Sequence, residues 1–380
     1  MAYLFLGTAA NVAGVRTSAL SQFFSTLYAN GLQTPEFFLT DKDWAQINAA
    51  QRTWPTTKIQ LCYWHLRRAV KKRLADSSVN TNNYDAESAN QEVNFIDTNF
   101  HPFPRNQSTG IRSSQNCDVR FCPRELRETI LEIISYHFHL HPLLPNDNNQ
   151  YLTENEIWLL SVREMYGFCV ANDLKNVWAY MWSNWYEKRH WMLWARAANP
   201  DRIGLFKTTM LIEAHWKVIK RDFLPKFFRP RLDLVVYVIT TRLLPHHQRR
   251  YYQLTSRREM VAWRKDFKKE WKKLSNHDSS TANPHITDVT KWMCSCKYFL
   301  LSRWPMCYHL VLRVPDLRSN TSLFASVTRQ EVYPFLKHPS LQDEDDSSFE
   351  TSNTGGKRFL FNFILITVLF NINMLICILL

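Results

Sequence analysis

Four residues in the C-terminal third of the chain have the types and the spacing of metal ligands. Cys294 and Cys296 are followed, after ten intervening residues, by Cys307 and His309. That interval lets the chain turn back and bring both pairs to one ion. Three thiolates and one imidazole complete the tetrahedral shell of Zn²⁺ and leave no open position, which is typical of structural zinc. The alternative is four buried residues that hold no metal.

Metal binding would supply folding energy to a segment too small for a core of its own. The ligand types and their order resemble the SWIM-type zinc finger, which we place at residues 285–318. The following run Leu310–Val314 resembles the helix that closes that finger. The resemblance implies possible protein partners as well as DNA, and it leaves open which of them the finger contacts.

Two carboxylates have the sequence context of phosphoryl-transfer chemistry. Asp41 follows an apolar run that predicts a strand, and Glu213 lies in a helical pattern. Carboxylates from strand ends and a helix can hold two Mg²⁺ ions about 4 Å apart and activate water or a 3′-hydroxyl. Asp43 and Glu187 are the alternatives to these two. Asp41 also has a simpler interpretation, as the cap of the next helix.

Three segments resemble the transposase domain of Mutator-like elements (MULE), which has an RNase H-like fold and often carries a SWIM finger downstream. Residues 37–41 (FFLTD) resemble the strand that presents the second catalytic Asp. Residues 61–67 (LCYWHLR) resemble the C-x2-H element, and residues 207–217 resemble the segment with the late catalytic Glu. The resemblance runs from about residue 2 to residue 320, and it implies that Asp41 and Glu213 are the second and third catalytic carboxylates.

The resemblance also implies a first carboxylate on an earlier strand, but residues 1–16 contain no Asp or Glu. We therefore expect an incomplete catalytic set, no enzymatic activity, and Mg²⁺ binding only if the set is complete. Two explanations stay open. The protein is a transposase remnant that binds without cutting, or it is an active DDE transposase or nuclease whose N-terminal part is missing from this gene model.

The charge of the chain indicates polyanionic partners, with DNA first. Lys and Arg number 47 against 34 Asp and Glu, a formal net charge of +13. A basic helix is predicted over 246–275, where aromatic residues alternate with cations in a mixture suited to phosphate contact and stacking. The alternative is a solvated helix face that covers its own aromatics. The ten cations are Arg249, Arg250, Arg257, Arg258, Arg264, Lys265, Lys268, Lys269, Lys272 and Lys273.

The order of strand and helix patterns predicts an α/β fold: an N-terminally truncated RNase H-like domain with a mostly helical insertion, followed by the small SWIM finger. Five tryptophans between 178 and 194 are expected in the core. The predicted segments are an RNase H-like unit (1–75), a polar, disordered insertion (76–122), a helical region that completes the domain (123–245), the basic helix (246–275), the finger (285–318), an acidic linker (340–358) and a hydrophobic tail (359–380).

The tail carries no charged residue and is long enough to cross a bilayer as a helix. Lys357 and Arg358 precede it, so one interpretation is a C-terminal membrane anchor with a cytosolic body, which would make the protein a membrane-tethered SWIM adaptor that binds protein partners. The other is translated non-coding sequence, which we favour because nothing upstream prepares for a membrane. Eight cysteines without a secretory signal indicate a reducing compartment, and we expect a nuclear protein.

Overall fold

The computed structural model describes residues 2–5, 14–76, 84–102, 121–204, 206–227, 230–256, 262–277, 285–289, 291–313, 363–368 and 375–379. These residues form a mostly helical chain with two small sheets, in agreement with the predicted α/β class.

The strands are β1 (Ala2–Phe5), β2 (Phe37–Thr40), β3 (Lys58–Leu61), β4 (Thr287–Asp288), β5 (Met293–Cys294), β6 (Phe363–Val368) and β7 (Leu375–Leu379). The helices are α1 (Val15–Ala29), α2 (Trp44–Thr53), α3 (Tyr63–Ala75), α4 (Ala86–Glu92), α5 (Arg127–His139), α6 (Glu154–Ala171), α7 (Lys175–Met181), α8 (Lys188–Trp194), α9 (Met210–Val218), α10 (Leu232–Val238), α11 (Leu244–Thr255), α12 (Ala262–Ser275), α13 (Lys297–Leu301) and α14 (Tyr308–Arg313). Single π-helical turns extend three of the helices, at Trp182–Tyr186, Ile219–Phe223 and Ile239–Leu243.

The larger sheet has the strand order β1-β7-β6-β2-β3. Strand β2 runs parallel to β6, and β7 runs antiparallel to both β6 and β1. Strand β2, which ends just before Asp41, therefore lies between β3 and a strand from the far end of the chain.

The structure places the hydrophobic tail differently from the membrane-anchor interpretation. Two parts of it form β6 and β7 rather than a helix, because their backbones pair with β2 and β1. Within the described part of the chain, no helix has both the length and the apolar character needed to cross a bilayer. The linker at 340–358 lies outside the described residues.

The chain divides into two compact units. The first comprises residues 1–59, 205–294 and 302–380, and the second comprises residues 60–204 and 295–301. In the first unit, α1 and α2 pack together, and the Phe24 ring lies 5.1 Å from Trp54 in a stacked arrangement. Phe38 of β2 joins this aromatic cluster edge-on, which secures the strand that carries the candidate carboxylate.

The second unit is helical around a tryptophan core. Trp178, Trp191 and Trp194 are fully buried, and Trp182 and Trp185 are nearly so, as predicted. The indole N–H of Trp194 donates to the Trp185 carbonyl over 2.6 Å, and that of Trp158 donates to Tyr186 over 2.9 Å. Because these two donors are satisfied, the Trp158 and Trp194 rings are buried without stranding their indole N–H groups.

The expectation that 76–122 has little structure of its own is wrong for residues 84–102. Asp85 caps α4 by accepting hydrogen bonds from the next turn, and Val93, Ile96 and Phe100 are buried. The sparse apolar residues of this polar stretch are enough to anchor it to the core. Residues 77–83 and 103–120 lie outside the described part.

Candidate metal centre, carboxylates and basic surface

The candidate metal centre begins on a two-stranded hairpin. Strand β4 pairs antiparallel with β5, which brings Thr287 opposite Cys294 and its hydroxyl to 3.4 Å from the Cys294 sulfur. The turn is closed by Asp288, whose carboxylate accepts from the Lys291 amide over 2.9 Å. Trp292 has a left-handed backbone (φ 51°), uncommon for so bulky a residue, and its indole N–H donates to the Pro305 carbonyl over 2.9 Å.

The other three ligands lie at the starts of short helices. Cys296 directly precedes α13, and its sulfur accepts a hydrogen bond from the Phe299 amide over 3.3 Å. Cys307 precedes α14, and its carbonyl accepts from the Val311 amide. His309 lies in the first turn of α14.

The four side chains converge, as the spacing predicted. Their ligand atoms all lie within 4.8 Å of one another, and all four residues are buried. The His309 Nδ1 atom is 3.7 Å from the Cys294 sulfur. In a tetrahedral zinc site, bond lengths of about 2.1–2.3 Å place neighbouring ligand atoms about 3.5–3.8 Å apart. The observed separation therefore suits two atoms that share one ion.

The surroundings of the His309 imidazole favour the form of the ring that binds metal. Burial lowers its pKa, and the nearby Cys294 thiol opposes this shift. A lowered pKa favours the neutral ring, which is the form that binds metal. Its Nε2 atom is buried without a hydrogen-bond partner among the described residues, so Nδ1 is the atom turned towards the cysteines.

The predicted basic helix at 246–275 is two helices, α11 and α12, since α11 ends at Thr255. On α12, five cations are exposed: Lys265, Lys268, Lys269, Lys272 and Lys273. Arg249 and Arg250 are exposed on α11. Arg264 lies in α12, but its side chain is not described, and Arg257 and Arg258 lie outside the described residues.

Two aromatic residues of α12, Phe267 and Trp271, are not available for base stacking. Together with Leu274 they are buried in a cluster with Trp304, Met306 and Val311 of the finger. Among the described side chains, the helix thus turns five lysines outward and these two aromatic rings inward. Phosphate contact is left to the lysines, whereas the stacking that we expected from Phe267 and Trp271 is excluded by their burial.

The first unit brings the segments of the two candidate carboxylates together. Thr209 precedes α9, and its hydroxyl donates to Asp41 over 3.4 Å. Glu213 lies one turn into the same helix, and its amide donates to the Thr209 carbonyl over 3.2 Å. Helix α9 is held against the sheet by Ile212 and Trp216, which share a buried cluster with Leu39 of β2. One Glu213 oxygen is itself buried.

The structure also separates Asp41 from its neighbour Asp43. Asp43 caps α2 by accepting from the Ala45 amide over 3.0 Å, and it forms an ion pair with Arg16. Capping, which the sequence left open for Asp41, is therefore the role of Asp43. The other rival, Glu187, pairs with Arg189 at 2.5 Å and His190 at 3.4 Å.

Comparison with known families relates the segment around Asp41 to a transposase domain. Residues 13–69 match the MULE transposase domain. The described part of that match contains α1, β2, α2 and β3 and therefore includes Asp41. The cluster of Cys294, Cys296, Cys307 and His309 is compatible with a SWIM-type zinc finger.

One curated relative is the mating-type protein ALPHA3 of Kluyveromyces lactis, which is 20% identical over 356 residues. The alignment covers 84% of this chain but only 40% of the relative, so the chain spans less than half of that protein's length. No solved structure matches the chain.

Within the MULE match, the structure reveals a residue that sequence reasoning missed. Lys42 directly follows Asp41, and burial lowers its pKa to about 8. A lysine whose pKa is lowered this far, next to a candidate catalytic carboxylate, is typical of functional sites. Only its place beside Asp41 could have drawn attention to it, because burial is not visible in the sequence. In the C-x2-H element, Cys62 lies just before α3 and His65 lies in the first turn of that helix.

Proposed function

We propose that the chain is a zinc-binding and nucleic-acid-binding protein derived from a Mutator-like transposase, that it acts on DNA in the nucleus, and that it lacks transposase activity. The observation that carries the proposal is the convergence of Cys294, Cys296, Cys307 and His309. Zn²⁺ fits this set because three sulfurs and one imidazole nitrogen match its preferred ligands and fill its tetrahedral shell. Such a closed site stabilises the finger and leaves no position for a substrate.

The match to the MULE domain and the mixed sheet support a transposase-derived, RNase H-like domain. The make-up of that sheet supports the proposed lack of catalysis. Two-metal chemistry needs several carboxylates to hold the ions, and the resemblance implies one on another strand besides Asp41. The two neighbours of β2 are β6 (FILITV) and β3 (KIQL), and neither of them contains Asp or Glu; β1 and β7 contain none either.

DNA is supported as the partner by the net charge of +13 and by the exposed lysines of α12. Such a surface gains affinity by releasing counterions from phosphates, at any base sequence. The finger contributes either a second DNA contact or a protein contact. The name of the K. lactis relative, a mating-type protein, is compatible with a nuclear role.

Metal analysis of the purified protein tests the zinc site. We expect about one equivalent of zinc, because the four ligands make one closed site. Cys294→Ser should lose the metal, because a serine hydroxyl is a poor replacement for a thiolate. Cys169→Ser is the matched control, since Cys169 is equally buried but stands outside the cluster. A folded wild-type protein without metal would refute the assignment.

A second candidate, an active DDE nuclease, is favoured by one contact, that of Asp41 with Thr209 at the start of the helix that carries Glu213. Cleavage of DNA with Mg²⁺ or Mn²⁺ would support this candidate if Asp41→Asn abolished it and Asp43→Asn did not. Under the leading proposal no cleavage occurs with any of the three proteins.

A further inference from the structure

Helix α12 has an apolar face whose packing partners come from the metal module. Phe267, Trp271 and Leu274 follow one another at intervals of four and three residues, which places them on one side of the helix. Their cluster is completed by Trp304, Met306 and Val311, with Trp292 and Tyr308 packed against it. All five of these finger residues lie between Trp292 and Val311, in the segment that contains the four metal ligands.

The contacts are specific ring contacts as well as general burial. The Trp271 and Trp292 rings are stacked, with centroids 6.1 Å apart and planes 8° from parallel. Phe267 meets Trp304 edge-on at 5.7 Å. Just beyond α12, His277 stacks on Tyr308 at 4.1 Å, and Tyr308 in turn contacts the ligand His309 at 3.9 Å. An unbroken series of ring contacts thus leads from the end of α12 to the metal site.

An ion pair closes the opposite end of the contact. Asp266 of α12 meets Arg303 at 3.0 Å, and the Arg303 guanidinium lies over the Trp304 ring at 4.5 Å. Both charged side chains are largely exposed, so the ion pair contributes little to stability. Its main effect is on the orientation of α12 against the finger.

By itself α12 has little to hold it helical. It has 14 residues, close to the length at which isolated helices are marginal in water. Lys265–Lys269, Lys268–Lys272 and Lys269–Lys273 are like charges four positions apart, which oppose helix formation. The internal pair of Lys273 with Glu270 at 3.8 Å offsets part of this repulsion. The helix therefore depends on its apolar face.

We propose that α12 is an integral part of the metal module, so that metal at Cys294, Cys296, Cys307 and His309 orders the lysine face and metal loss releases it. The partner of that face is a phosphate backbone, and the inference rests on the proposed zinc and DNA binding. Loss of metal frees the segment 292–311, the cluster on Trp271 separates, and α12 unfolds because its lysines repel one another. The zinc site thereby controls DNA affinity through a helix that supplies none of its ligands.

Hydrogen exchange of the full-length protein tests the coupling without any DNA. Backbone amides of residues 265–275 should exchange at least tenfold faster after zinc is removed by a chelator, and protection should return when Zn²⁺ is added back. Amides of α6 in the second unit are the internal reference. Equal exchange in α12 with and without zinc would overturn the proposal, whatever the DNA results.

Two variants separate this inference from the proposed function. Trp271→Ala keeps every ligand and every lysine, so we expect one zinc, faster exchange in α12, and DNA binding at least tenfold weaker. Exchanging all five exposed lysines of α12 for Gln should keep both zinc and protection but lower the salt dependence of DNA binding, by about 0.9 in the log–log slope for each phosphate that the variant no longer neutralises. Trp44→Ala, at an exposed tryptophan of α2, is the control and should change neither.

The outcomes are distinct. If the lysine variant binds DNA as the wild type does, the proposed DNA surface is wrong while the metal coupling can still hold. If Trp271→Ala leaves both exchange and affinity unchanged, the coupling is wrong while DNA binding stands.

Discussion

Residues of one type have different roles in this protein, and their immediate partners decide which. Asp41 and Asp43 are two positions apart, yet Asp43 is occupied by a helix cap and by Arg16, whereas Asp41 meets the start of α9. The cysteines divide in the same way. Cys294 belongs to the candidate metal cluster, while Cys169 is enclosed in the core, where burial raises its thiol pKa. Both distinctions depend on neighbours that are distant in sequence.

Histidines show the same division, and one of them makes stability depend on pH. His141 is buried, and its Nε2–H donates to the carbonyls of Asn199 and Arg202 over 2.9 and 3.1 Å. Its Nδ1 accepts from the Leu143 amide over 3.1 Å, so this geometry requires the neutral ring. Burial, assisted by the charge of Arg196, lowers its pKa from 6.5 to about 4.

We expect His141 to destabilise the protein in acid. Above pH 6.5 the ring is neutral in both states, and its hydrogen bonds are fully available. As the pH falls from 6.5 towards 4, only the unfolded state takes up the proton, so the free energy of unfolding decreases by about 2–3 kcal/mol. Urea unfolding at several pH values should show a steeper decline for the wild type than for His141→Gln. Parallel curves would contradict this role.

At the scale of elements, local sequence signals were reliable. The strand predicted by the apolar run before Asp41 is confirmed as β2, and the helical pattern around Glu213 is confirmed as α9, because apolar spacing and stop signals lie within a few residues. Gly31 shows how such a stop works. It has a φ of +89°, and the amides of Gly31 and Leu32 close the end of α1 on the carbonyls of Tyr28 and Leu27.

A pair of glycine substitutions tests this element. Gly31→Ala should lower the free energy of unfolding by about 1–2 kcal/mol, because a Cβ is strained in the left-handed region. Gly167→Ala is the matched control. Gly167 lies within α6 with open space around its Cα, so alanine there should stabilise the helix by about 0.5–1 kcal/mol. Thermal unfolding of both variants measures the contrast, and shifts of the same sign would contradict the assigned backbone roles.

Helix α12 marks the limit of prediction at this scale. Its composition predicted a basic helix, which is confirmed for Ala262–Ser275, but stacking on nucleic acid and packing within the protein need the same aromatic residues. Packing prevails here because Trp304, Met306 and Val311, which follow α12 in the chain, offer an apolar surface to Phe267 and Trp271.

At the scale of the whole molecule, the larger sheet unites strands from both ends of the chain. Phe37, Phe38 and Leu39 of β2 lie opposite Phe363, Ile364 and Leu365 of β6. An uncharged apolar segment satisfies either a membrane or a sheet interior, so its composition alone did not distinguish the two.

Hydrogen exchange also tests this placement. Amides of Phe363–Val368 should exchange as slowly as those of β2, because β6 pairs with β2 on one side and β7 on the other. The measurement is made on the full chain without detergent. Complete exchange of β6 within seconds, while β2 stays protected, would contradict the sheet order.

The sequence by itself determined the four candidate metal ligands, the basic surplus and many local helices and strands, because ligand spacing, charge and apolar periodicity are properties of short segments. Only the tertiary structure decided that Asp43 is a helix cap, that Phe267 and Trp271 of α12 face the finger, and that β6 lies beside β2. Those choices depend on contacts between segments far apart in the chain, where several partners of similar chemistry compete and packing selects one.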